Sequence, residues 1–134
     1  MNETTATTPT NDTVMDRYIR TFERASHEPE ALKELESIFA PDATVQLVEG
    51  MEPVTGLPAI MEMYGHIAEG VADSKYVWTV TELDDGRLEV PWVQAARTAD
   101  GRLIGQSGIE HATVNADGRI THLTNRSVPV AGWV

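Results

Sequence analysis

Two side chains in this sequence are of a type and in a place to do chemistry. Tyr18 lies on the apolar stripe of an amphipathic segment, and Glu110 is set in the β-rich run Ile109-Glu110-His111-Ala112. A tyrosine on an apolar stripe is either a core residue with a satisfied hydroxyl or a donor aimed into a site. A glutamate in a strand either faces water or is buried; buried, its pKa rises by desolvation and it can serve as acid or hydrogen-bond donor. The sequence by itself leaves both alternatives open. Other chemistries are poorly represented. There is no cysteine, which removes disulfides and cysteine-rich zinc sites. The four histidines are scattered, with no two at i,i+4 on one helix, so no metal is expected. The glycines form no strand-to-helix phosphate loop, and no Ser-His-Asp arrangement is suggested. Asp42, after Pro41, reads as a turn residue.

The elements that must position these residues follow from periodicity and turn chemistry. Met1 to Asp12 is rich in Thr and almost without large apolar residues, and is expected to be a disordered tail preceding one domain over residues 13–134. Val14, Tyr18, Phe22 and Ala25 recur at helical spacing and predict a helix over about Val14 to Ser26, capped by Asp12 or Thr13. Pro29 opens a second helix that runs to Phe39 and stops at Pro41. Ala43 to Val48 reads as a short strand, and Pro58 to Ala68 as a third helix. The remainder is β: Lys75 to Leu83, Leu88 to Thr98, Leu103 to Asn115 and Arg119 to Val128, joined at Asp85-Gly86, Asp100-Gly101 and Asp117-Gly118. Such turns between β-rich runs predict an antiparallel meander. Pro91 suggests an edge or a bulge. Helices first and strands after give an α+β fold.

Composition sets the partners. Twenty-one acidic against 10 basic side chains give a net charge of -11, which repels nucleic acid phosphates and anionic lipid surfaces. No apolar run approaches the roughly 18 residues of a membrane span, and the first residues lack the basic and apolar regions of a secretory signal. The expectation is a cytoplasmic protein with no membrane and no nucleic-acid partner.

The runs Asp16-Arg17-Tyr18, Ile38-Phe39-Ala40-Pro41-Asp42-Ala43-Thr44-Val45, Gly50-Met51-Glu52-Pro53-Val54-Thr55-Gly56 and Ala59-Ile60-Met61-Glu62-Met63-Tyr64 resemble the bacterial ketosteroid isomerases of the NTF2-like superfamily, which includes SnoaL-like polyketide cyclases. Ile109-Glu110-His111 through Asn115-Ala116-Asp117-Gly118-Arg119-Ile120 extends the match, so that it covers about Val14 to Val128. The resemblance implies a cone-shaped fold of three N-terminal helices on a curved antiparallel sheet, enclosing an apolar pocket. It places Tyr18 where the family holds its oxyanion-hole tyrosine and Glu110 where it holds a protonated aspartic acid, a carboxyl kept neutral by an apolar site in the steroid isomerases themselves. Tyr64 matches a tyrosine that supports the first. The family's general base, an aspartate, falls on Leu47, which cannot move a proton.

With Glu110 inward, strand parity turns Gln106, Gly108, Ala112 and Val114 inward as well. The match adds Leu123, Asn125 and Ser127 on the last strand, and Val90, Trp92, Gln94 and Ala96 on the third. His111 and His122 then face outward. Trp78, Trp92 and Trp133 read as packing groups, with Trp92 best placed to line a ligand. The expected wall is therefore Phe22, Phe39, Leu47, Tyr64, Trp92, Gln94, Ala112, Leu123, Asn125 and Ser127 around catalytic Tyr18 and Glu110. The implied activity is a cofactor-independent isomerase or cyclase acting on an apolar carbonyl-bearing, polyketide-like or steroid/terpenoid-like molecule, in a homodimer formed through the convex face. The alternatives are a binding protein without turnover, and a steroid isomerase with a displaced base at Glu49 or Asp42.

Overall fold

The computed structural model describes residues 13–129. The expected disordered tail, Met1 to Asp12, and Trp133 lie outside the described residues. Helix α1 spans Val14–Ala25 and is capped by Thr13 in a reciprocal capping box with Asp16: the Asp16 amide donates to Thr13 Oγ1 at 3.1 Å, and the Thr13 amide donates to Asp16 Oδ2 at 3.0 Å. Its apolar stripe, Val14, Met15, Tyr18, Ile19 and Ala25, is buried. The expected second helix is instead a 3-10 segment, Pro29–Glu34, followed by one α turn, α2, Leu35–Ile38. No side chain caps its start, and Phe39 has already turned extended (φ -97°, ψ 145°). Phe39 therefore opens strand β1, Phe39–Gln46, rather than closing a helix. Asp42 lies within β1, exposed, where the register against the last strand shifts between Phe39 and Thr44. Pro41 has no N–H for the ladder, and the irregularity absorbs it.

Strand β2 is Val54–Thr55, and helix α3 is Leu57–Glu69. Strands β3, Val71–Trp78, and β4, Thr81–Glu82, replace the single run expected from Lys75 to Leu83. They are followed by β5, Leu88–Thr98, β6, Leu103–Val114, and β7, Ile120–Ser127. The sheet order is β2-β1-β7-β6-β5-β3, with β4 also on β5. All pairs are antiparallel except β1 with β7. The three hairpins share one geometry: each turn glycine has positive φ (Gly86 88°, Gly101 92°, Gly118 79°) and donates back to the strand end (Gly86 to the Leu83 carbonyl at 2.9 Å).

Pro91 sits in neither an edge strand nor a bulge. It pairs in register with Ile109 in the interior of the sheet. Its carbonyl accepts from the Thr79 amide at 3.2 Å, so its missing N–H also faces the gap between β3 and β4 and no bond to β6 is lost. The curved sheet packs one face on α1, α2 and α3 through Met15, Leu35, Ile38, Phe39, Val45, Ile60, Val90, Ile120 and Leu123, each at most 3% exposed. The other face leaves Val77 and Val93 exposed.

Candidate active site

Side chains that alternate along the strands converge under α1 and α3. On β6 the buried positions are Gly108, Glu110 and Ala112, and on β5 they are Val90, Gln94 and Ala96. Between this face and the helices lies a cavity of about 230 Å³. Its wall combines Tyr18, Ile19 and Phe22 of α1, Tyr64 and Ile67 of α3, Leu47 and Val48 after β1, Tyr76 and Trp92, and Gln106, Glu110, Asn125 and Ser127. Val48 and Ile67 are exposed, which marks its mouth.

Three aromatic rings hold the deep end. The Tyr18 and Tyr64 hydroxyls are hydrogen-bonded at 2.7 Å although the residues are 46 apart in sequence. Phe39, fully buried, meets Tyr18 edge-on at 5.9 Å and stacks on Tyr64 at 6.0 Å. Burial pushes both phenols well above the usual tyrosine range, so both stay protonated. Glu110 is 6% exposed, and burial raises its carboxyl to about 8; the Tyr18 hydroxyl beside it favours the charged form but offsets only part of the shift. At neutral pH the site therefore presents a phenol and a neutral carboxyl, both able to donate.

The side wall is fixed by a second set of bonds. Trp92 Nε1 donates to Asn125 Oδ1 at 2.9 Å, and Asn125 Nδ2 donates to the Leu47 carbonyl at 3.1 Å. This ties the end of β1 to β5 through Asn125 of β7 and across β6. Gly108 lies directly beneath: a Cβ there would sit 2.7 Å from Asn125 Oδ1 and 3.0 Å from Trp92 Nε1, so only glycine leaves room for this bridge. Farther along, Gln94, Gln106, Ser74 and Tyr76 form a hydrogen-bonded group.

Several expected wall residues lie elsewhere. Phe39, Ala112 and Leu123 are in the core behind the cavity, because β1 starts earlier than periodicity suggested and the helices close over that end of the sheet. Gln94 lies beside a smaller adjoining cavity with Ser74 and Tyr76. Phe22, Leu47, Tyr64, Trp92, Asn125 and Ser127 are in the wall with Tyr18 and Glu110. Asp42 and Glu49 are exposed and neither lines the cavity. Tyr76 and Ile67 are wall residues that sequence reasoning missed; the aromatic in a β-rich run at Tyr76 was the available signal. Each histidine is engaged away from the site, His27 with Asp73 at 3.1 Å and His111 with Glu89 at 2.9 Å, while His66 and His122 contact Glu69 and Thr121. Among the described residues no group of three or more His, Cys, Asp or Glu side chains is placed to hold a metal, and no helix is long and apolar enough to cross a membrane.

No protein-family model and no curated protein matches the chain. Solved structures do. An NTF2-like protein of unknown function from Exiguobacterium sp. 255-15 superimposes with a TM-score of 0.76 at 26% identity, covering 88% of this chain and 100% of that one. The fold is NTF2-like. Two further solved structures that share the fold come from proteins linked to chemistry. A protein from Rhodopseudomonas palustris assigned as an isomerase matches with a TM-score of 0.73 at 18% identity over 87% of this chain and 90% of its own. SalBIII, an epoxide hydrolase/cyclase-like enzyme with a role in pyran ring formation in the polyether salinomycin, matches with a TM-score of 0.69 at 12% identity over 86% of this chain and 88% of its own. The superfamily read from the sequence runs around Tyr18, Tyr64 and Glu110 is thus the one the fold displays, and its neighbours include cyclase- and isomerase-type proteins.

Proposed function

We propose that this NTF2-like chain binds an apolar molecule through a carbonyl or enol oxygen seated between Tyr18 and Glu110, and promotes its isomerisation or cyclisation. The observation that supports this most is the pairing of two protonated donors at the closed end of a largely apolar cavity. Donors aimed at an oxygen that gains negative charge act strongly where water is excluded. Among the described residues no carboxyl group other than Glu110 lines the wall, and Leu47 takes the position to which the sequence resemblance assigns the family's base. Ring closure or rearrangement driven by polarisation and by folding the substrate into a reactive conformer fits this better than enolisation. Binding without turnover is the second reading, and Leu47 is the residue that favours it. The cavity, at about 230 Å³, is smaller than the 300 to 1,000 Å³ typical of drug-sized sites, so it encloses one or two rings and a larger ligand extends through the mouth.

The phenol oxygen of 2-naphthol imitates an enol and tests the reading by fluorescence titration. Wild type should bind it at neutral pH, and Tyr18→Phe should weaken binding about tenfold, the effect of removing one buried donor. Equal affinity of the two proteins would sink the assignment of Tyr18. A homodimer belongs to the same reading, with the exposed apolar outer face of β3 and β5 at Val77 and Val93 covered by a second copy. A monomer in sedimentation equilibrium would remove that part.

A further inference from the structure

The hydrogen-bonded group around Gln94 sits along the sheet from Glu110, in the row where Tyr76, Gln94 and Gln106 are cross-strand partners, and the proposed chemistry makes no use of it. Gln94 is 4% exposed, with both amide hydrogens and the amide oxygen bonded. Its Nε2 donates to Ser74 Oγ at 2.8 Å and to the Tyr76 hydroxyl at 2.9 Å, and its Oε1 accepts from Gln106 Nε2 at 2.6 Å. A buried amide is costly unless its bonds are made, so this arrangement fixes the orientation of both neighbours. Those neighbours, Tyr76 and Gln106, line the main cavity. Tyr76 accepts from Gln94 and keeps its own proton to donate. Gln106 uses one N–H on Gln94 and retains a second N–H and a carbonyl oxygen. The cavity thus carries a second polar group on its wall, set off from Glu110 along the sheet by the Trp92–Gly108 row. Gln106 and Glu110 are on the same face of β6, four residues apart, which is about 14 Å along a strand.

We infer that Tyr76 and Gln106, held by the buried Gln94, form a second polar subsite that hydrogen-bonds an oxygen at the far end of the ligand. The ligand class narrows accordingly to an elongated apolar molecule with an oxygen function at each end. One oxygen is polarised by Tyr18 and Glu110, and the other, a hydroxyl or carbonyl, is recognised near the mouth. Gln94 is a positioning residue: it touches no ligand and acts through the two side chains it orients.

This inference rests on the seating of the first oxygen between Tyr18 and Glu110, and paired probes separate the two. The pairs are 2-naphthol with naphthalene-2,6-diol, and 4-phenylphenol with biphenyl-4,4′-diol, titrated against wild type, Gln106→Leu and Tyr76→Phe. In wild type at least one diol should bind about threefold to tenfold tighter than its mono-ol, the gain from one hydrogen bond at a partly wet site. Gln106→Leu leaves the buried Gln94 Oε1 without its partner, so thermal melting establishes folding first; in the folded variant the diol preference should fall to the roughly twofold factor that two equivalent hydroxyls give by statistics, and Tyr76→Phe should reduce it. A wild-type preference no larger than that roughly twofold factor in both pairs, or a larger one that persists in Gln106→Leu, overturns the second subsite while leaving the first intact. Failure of the mono-ols to bind at all removes both.

Discussion

Leu47→Asp should turn this protein into a measurable double-bond isomerase. Leu47 lines the cavity just beyond β1 and is held in place by the bond from Asn125 Nδ2 to its backbone carbonyl, a contact that does not depend on the side chain. A carboxylate there would take the α-proton of a β,γ-unsaturated ketone whose oxygen lies at Tyr18 and Glu110. It would then return that proton to the γ-carbon, leaving a conjugated enone. The donors stabilise the dienolate in between. General-base catalysis is typically worth about 10²–10⁴-fold, so the variant should exceed wild type by that order in the rise of enone absorbance. Leu47 is only partly buried, so the new charge remains partly hydrated and its burial cost is reduced. Thermal melting establishes that the variant is folded before rates are compared. Efficient isomerisation by wild type would show that another residue is the base. A folded Leu47→Asp that binds the ketone and stays inert would show that the cavity does not seat the α-carbon against this wall.

The second large effect concerns pH. Glu110 is raised from 4.5 to about 8 by burial, the Tyr18 bond offsetting part of the shift. A carboxyl raised on folding is protonated in the native state at pH values where the unfolded chain has already ionised. Its stabilising contribution is full below pH 4.5, falls steadily as pH rises from there, and is gone above about 8. At about 1.4 kcal/mol per unit, the loss approaches 5 kcal/mol at most, and water entering the half-open cavity reduces it. Glu110→Gln keeps the shape and stays neutral at every pH. Urea unfolding at pH 5 and pH 9 should therefore show wild type losing several kcal/mol more than the variant. Equal losses would mean that Glu110 ionises freely and is no neutral donor. Ligand binding follows the same group, and affinity for 2-naphthol should decline as pH passes through about 8 in wild type.

The meander and its facing were legible because their causes are local. Each Asp-Gly pair supplies the positive φ of a hairpin, and a period of two then assigns every second residue to one face. That is why Glu110, Ala112 and Gly108 share the buried face, and why His122 is exposed. Helix α1 was equally legible, since the stripe from Val14 to Ala25 and the Thr13 cap lie within one short segment. Where two local signals competed, packing decided. The apolar spacing from Leu32 to Phe39 reads as one helix, but the chain gives only a 3-10 segment and one α turn, because Phe39 is drawn into β1 to pack on Tyr18 and Tyr64.

The rest belongs to tertiary structure alone. The Tyr18–Tyr64 bond joins residues 46 apart, and the Asn125 bond to Leu47 spans 78. Spacing along the chain carries no information about such distances. Tyr76 becomes a wall residue only because β3 pairs with β5 in the register that sets Tyr76 opposite Gln94. The neutrality of Glu110 has the same origin. Desolvation is a property of everything packed around a carboxyl, and here the helices from the first half of the chain close over a strand from the second.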